Sequence, residues 1–98
     1  MNHPVIFRPA AERELLEAER WFEERQPELG RRFRGSVDAT IDRVREFPLA
    51  FPTVHGPKRR ALIPRFPYVL YFALINDTIV VVGIVHGHRD PEVWRSRR

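Results

Sequence analysis

Apolar residues recur along this chain with two different periods, and the change of period divides it into a helical half and a strand half. Val5-Ile6-Phe7 predicts a short strand closed by Pro9, and a proline also suits the first turn of a helix. Ala11, Leu15, Ala18 and Phe22 then follow at spacings of four, three and four, which is one face of an α-helix. Arg13, Glu14, Glu17, Arg20, Glu23 and Glu24 fall between them and predict a solvated face. Pro27 is placed to end this helix and open the next. Leu29, Phe33, Val37, Ile41 and Val44 form a second apolar stripe, with Glu28 and Arg32 spaced for an i,i+4 ion pair. Pro48 excludes helical geometry at Phe47, so the second helix stops there. The pattern so far is a helical hairpin.

Beyond it the period falls to two. Pro52, Gly56 and Pro57 make Leu49 to Pro57 a loop or an irregular edge segment. Arg60 to Ile63 predicts a short strand, Phe66 to Ile75 a longer one and Thr78 to His86 another. Asn76-Asp77 joins the last two in a tight turn. Pro64 and Pro67 sit where no ladder hydrogen bond is needed. The predicted fold is α+β in two layers, β-α-α-β-β-β, with the hairpin of helices packed on a mainly antiparallel sheet.

Tyr68, Leu70, Phe72 and Leu74 alternate with Val69, Tyr71, Ala73 and Ile75, so the main hairpin is apolar on both faces. One pair of helices covers one face only. The second face needs another cover, either a protein partner or the tail from Pro91 onward, with Val93 and Trp94, folded back.

Composition narrows the class. Ninety-eight residues with 43% apolar content suit a single domain over 1–98, with 90–98 as its C-terminal tail. No apolar run approaches the roughly eighteen residues of a membrane span, and MNHPVIF lacks the form of a signal peptide. The absence of cysteine removes disulfides and thiolate metal sites and fits a cytoplasmic protein. The charge is uneven. Residues 1–50 hold 9 Arg against 10 Asp and Glu, while residues 51–98 hold 8 Lys and Arg against 3. A basic strand half favours a polyanionic partner, although ordinary solubility charge has the same composition.

The order strand, helical hairpin, antiparallel sheet, ending in Ile84-Val85-His86-Gly87-His88-Arg89-Asp90-Pro91, resembles the RelE/ParE superfamily of toxins from type II toxin–antitoxin systems. Arg65 within ALIPRFPYVLYF and the aromatic strand Tyr68–Phe72 carry the same resemblance. It implies a small basic growth inhibitor bound by a cognate antitoxin, and for some members a role in plasmid stabilisation. Two modes of action are implied. RelE-like members are endoribonucleases that cut mRNA on the translating ribosome. ParE-like members inhibit DNA gyrase and break no bond of their own.

Metal-free RNA cleavage needs a base for the 2′-hydroxyl, cations for the phosphorane and an acid for the leaving oxygen. Arg65, His86 and Arg89 are the catalytic candidates under that reading. Lys58, Arg59, Arg60, Arg65, His88 and Arg89 are candidates for holding phosphate or target, with His55 nearby in sequence. Against cleavage, the RelE-like tyrosine near the C-terminus has only Trp94 to stand for it. His86 also suits a strand-end hydrogen bond, and Arg89-Asp90 a local ion pair. His3 is read as an ordinary terminal residue. No cofactor or metal is expected: His86-x-His88 lacks carboxylate company, and no phosphate loop or nucleophile elbow is present. Three readings stand: a gyrase-binding toxin, a ribosome-dependent ribonuclease, and a degenerate, non-toxic module that only binds antitoxin.

Overall fold

In a computed structural model of the chain, the described residues are 2–87 and Arg97. Strand β1 (Val5–Phe7) leads into helix α1 (Pro9–Arg25) and helix α2 (Leu29–Glu46). A single 3-10 turn over Pro48–Ala50 follows, then β2 (Thr53–His55), β3 (Lys58–Leu62), β4 (Tyr68–Ile75) and β5 (Thr78–His86). The sheet order is β1-β5-β4-β3-β2. β1 runs parallel to β5, and the other pairings are antiparallel. The α+β expectation holds, with β2 added as an edge strand in the segment read as loop or irregular edge.

The helices obey their stripes. Ala11, Leu15, Ala18 and Phe22 are all buried. On α2 the buried line is Gly30, Phe33, Val37, Thr40 and Val44, while Leu29 and Ile41 are only half-buried. Thr40 tolerates burial because its hydroxyl donates to the Ser36 carbonyl at 2.8 Å. Pro27 lies in the interhelical turn rather than opening α2. Glu28 precedes the helix in the left-handed region, at φ 77°. Its carboxylate lies 4.0 Å from Arg31, in place of the expected Arg32. Glu23 replaces a conventional cap, accepting the Glu28 and Gly30 backbone N–H groups at 3.0 Å each.

Between the layers lies an aromatic cluster. Phe22 and Phe33 from the helices meet Phe66 from the turn before β4 and Tyr68 at its start, with ring centroids 4.9 to 5.8 Å apart. Phe72, Leu70, Ile79, Val81 and Ile84 extend the same core across the sheet. The Asn76-Asp77 turn has positive φ at both residues, 49° and 68°, as a tight hairpin requires. β3 begins two residues before the expected Arg60 and stops one before Ile63. β4 begins at Tyr68 rather than Phe66, because Ile63 to Pro67 form a turn.

The far face of the sheet is not an open apolar patch. Val69, Ala73, Val80 and Val85 alternate away from the helices, yet each is buried. Only the rim residues Ile6, Leu62 and Ile75 are exposed. Arg97, the described residue of the C-terminal segment, lies against this face and accepts a hydrogen bond from Lys58 Nζ through its carbonyl. The expected cover by Val93 and Trp94 lies outside the described residues.

A bulge in β5 sets up the site. Tyr71 pairs with Gly83 and Phe72 with Val81, which leaves Val82 as an extra residue. Up to Val81 the outer edge of β5 is satisfied by β1 and Arg8, whose N–H donates to the Val81 carbonyl at 2.9 Å. The extra residue shifts the alternation, so Val82 and Ile84 present their backbone groups at that same edge beyond the end of β1.

Candidate binding site

Those two backbone groups find side-chain partners. Glu14 Oε1 accepts the Ile84 N–H at 3.0 Å, and Arg97 donates to the Val82 carbonyl at 3.2 Å. The two side chains also join each other through a forked pair of hydrogen bonds at 2.7 and 2.8 Å. The hydrogen bond that Arg97 donates to Glu14 raises the Arg97 pKa above its ordinary value, against the opposing effect of burial. Glu14 therefore does not belong to the solvated face predicted for α1. It is the tie between helix, strand edge and C-terminal segment.

Beside this tie runs a groove of about 510 Å³ between α1 and the end of the sheet. Its walls are Glu14, Glu17, Ala18, Trp21 and Phe22 on the helix side, and Pro67, Tyr68, Ile84, Val85 and His86 on the sheet side. The His86 ring meets Tyr68 edge-on at 5.5 Å. His86 thus stands at the end of β5 with its ring in an aromatic groove.

Arg65 lies elsewhere. Ile63 accepts the Phe66 N–H at 3.3 Å, closing a turn with Pro64 second and Arg65 third. Arg65 takes φ 71° there, the left-handed place that glycine normally fills in a type II turn. Together with Arg32, Ser36, Ala39 and Gly35 it lines a second groove, also of about 510 Å³, along α2. The aromatic cluster separates the two grooves, so one is acidic and holds His86, while the other is cationic and holds Arg65.

The basic run in β3 is divided by strand alternation. Lys58 is buried on the far face against the Arg97 carbonyl, and burial, then the Arg97 charge, lowers its pKa. Arg59 donates to the Phe51 carbonyl at 2.6 Å and so braces the segment before β2. Arg60 is exposed, on the far face. His55 is exposed on edge strand β2. Lys58, Arg59, Arg60, Arg65 and His86 are therefore not brought to one place, and His88 and Arg89 lie outside the described residues. His3 is not an idle terminal residue: its Nδ1 lies 3.0 Å from both the Asp77 carbonyl and its carboxylate.

A larger depression of about 800 Å³ crosses the outer face of the helical hairpin. Its lining holds five acidic side chains against three arginines, and part of that charge is paired, as in Arg34 with Glu19 at 3.2 Å and with Asp38 at 3.5 Å. Among the described residues no three of His, Asp and Glu converge as metal ligands, and no helix is long and apolar enough to cross a membrane.

No curated protein matches this chain. A family profile described as the ParE toxin of the type II toxin–antitoxin system parDE matches residues 5–91. That span runs from β1 past the end of β5 and so includes both grooves and the bulge. The chain belongs to the ParE toxin family of type II toxin–antitoxin systems, whose members are paired with an antitoxin.

Proposed function

We propose that this toxin arrests growth by binding DNA gyrase in the cytoplasm, and that a cognate antitoxin neutralises it by direct association. The observation that carries this reading is the separation of Arg65 from His86 into grooves of opposite charge. Cleaving RNA without a metal requires base, acid and cation around a single phosphate. The histidine instead shares its groove with the exposed carboxylate of Glu17, which repels a phosphate, and with Glu14, whose charge Arg97 already answers. A binding surface has no such requirement. Arg65 and Arg32 in a groove floored by small residues suit capture of an acidic element on a target protein.

A supercoiling assay with purified gyrase tests this directly. Inhibition by the wild-type chain is expected, with about a five-fold loss of potency in Arg65→Ala, the scale of an arginine anchor at an interface. Unchanged supercoiling at large molar excess would sink the proposal. Codon-positioned mRNA cleavage on translating ribosomes would replace it with the ribonuclease reading. Harmless overexpression with retained antitoxin binding would replace it with the degenerate module.

The turn at Arg65 gives a second, independent check. A left-handed residue other than glycine costs about 1 kcal/mol or more, and such strain is retained where a side chain is needed for function. Arg65→Gly is therefore expected to raise stability by about 1 kcal/mol in urea unfolding, while its gyrase inhibition falls as far as that of Arg65→Ala. A glycine variant of full potency would remove Arg65 from the target surface.

A further inference from the structure

Two residues that line the groove between α1 and β5 each hold a guanidinium of this chain. Glu14 holds Arg97 through both carboxylate oxygens. Trp21 carries the Arg25 guanidinium 3.8 Å from its ring centroid. Glu17 stands between them on the same face of the helix, three residues after Glu14 and four before Trp21. Its carboxylate is exposed and forms no ion pair with any described residue. The setting is acidic against the trend of the protein, since α1 holds six Glu and three Arg while the chain carries a net +4.

We propose that this groove docks an arginine-bearing peptide segment of a protein partner, with the partner's guanidinium seated between Glu17 and the indole of Trp21. Arginine fits better than lysine because its planar fork matches a carboxylate and its face stacks on an aromatic ring, whereas an ammonium does neither as well. Tyr68 and Phe22 supply apolar walls for the methylene stem. A nucleic acid is disfavoured by the Glu17 carboxylate, which faces any phosphate entering the groove. The surface is separate from the cationic groove at Arg65, so one partner can be held here while another engages there. Nothing in this inference depends on whether the target is gyrase.

The test is an NMR titration of the isotope-labelled full chain with acetyl-Ala-Arg-Ala-Arg-Ala-amide. Saturable shifts are expected at the Trp21 indole N–H and around Glu17 and His86, with little change along α2 near Arg65. In Glu17→Gln, an exposed substitution that leaves the core untouched, affinity should fall about three-fold, the worth of an exposed ion pair. The lysine analogue of the peptide should bind more weakly than the arginine form, and the glutamate analogue not at all. Shifts absent or unsaturable, equal affinity in Glu17→Gln, or changes confined to Arg97 and Glu14 would each overturn the proposal. Self-association that appears without peptide and vanishes in Glu17→Gln would also overturn it, assigning the groove to a second copy of the chain.

Discussion

Glu14→Ala is expected to destabilise the protein by about 3 kcal/mol, toward the lower end of what breaking a buried ion pair costs. The carboxylate makes three short contacts, to the Ile84 N–H and to two nitrogens of Arg97. Both side chains are largely removed from water, at 14% and 22% exposure. Removing the acid leaves a guanidinium in a poorly solvated place and a strand-edge N–H without its acceptor. Each is costly on its own. The adjacent Glu17, exposed and without an ion-pair partner among the described residues, provides the contrast: Glu17→Ala should stay within about 0.5 kcal/mol of wild type. Urea unfolding of both variants, with Arg97→Ala and the double mutant, completes a cycle. A coupling of about 1–2 kcal/mol between Glu14 and Arg97 is expected. Additive effects would mean that the fork contributes nothing beyond what each side chain does alone.

The contrast between Glu14 and Glu17 also marks the limit of what the sequence revealed. Both are glutamates on the polar side of a clean amphipathic pattern, and periodicity assigns them alike. What separates them is the bulge at Val82, which aims the Ile84 N–H at α1. A bulge adds one residue to an apolar run and leaves no mark on its composition. The apolar stripe of α1, by contrast, was legible residue by residue, because burial of one helical face is a local consequence of spacing. The tight turn at Asn76-Asp77 was legible for a similar reason, since both residues tolerate positive φ.

The grooves were only partly legible. Arg65 stood out because prolines flank it, and Pro64 proves to be the residue that sets its turn. Arg32, its neighbour in space, lies on the polar side of another element and was assigned to an ion pair along the helix. The Lys58-Arg59-Arg60 run looked like one basic patch, but adjacent residues of a strand point to opposite faces, and two of the three hold the chain itself together. The uneven charge of the two halves was real, yet the pairing of an acidic groove with a cationic one across the aromatic cluster arises only when α1, α2 and the strand ends meet. Glu23 is a further case. It caps α2 from the end of α1, and its position five residues before Glu28 resembles no local capping pattern.

Gly30→Ala is expected to cost about 2–3 kcal/mol, in the range of overpacking a tight helix crossing. A Cβ at this position would lie 2.6 Å from the Glu19 backbone carbonyl and 2.9 Å from the Glu23 Cβ. The first of these is main chain inside α1, which cannot swing aside as a side chain does. The helices must separate or α2 must unwind at its start. Either movement pulls the Gly30 N–H away from the Glu23 carboxylate, which lies 3.0 Å from the added atom and caps the helix. The damage therefore exceeds the clash, and it falls next to Phe33, one turn further along α2 and fully buried in the aromatic cluster. Gly35→Ala is the matching control: nothing lies within 4 Å of its added Cβ. In an exposed helix interior it should stabilise by about 0.5–1 kcal/mol, the helix preference of alanine over glycine. Thermal or urea unfolding of the two variants decides the matter. Opposite signs at two glycines five residues apart in one helix would place the close contact between α1 and α2 at Gly30, and equal signs would deny it.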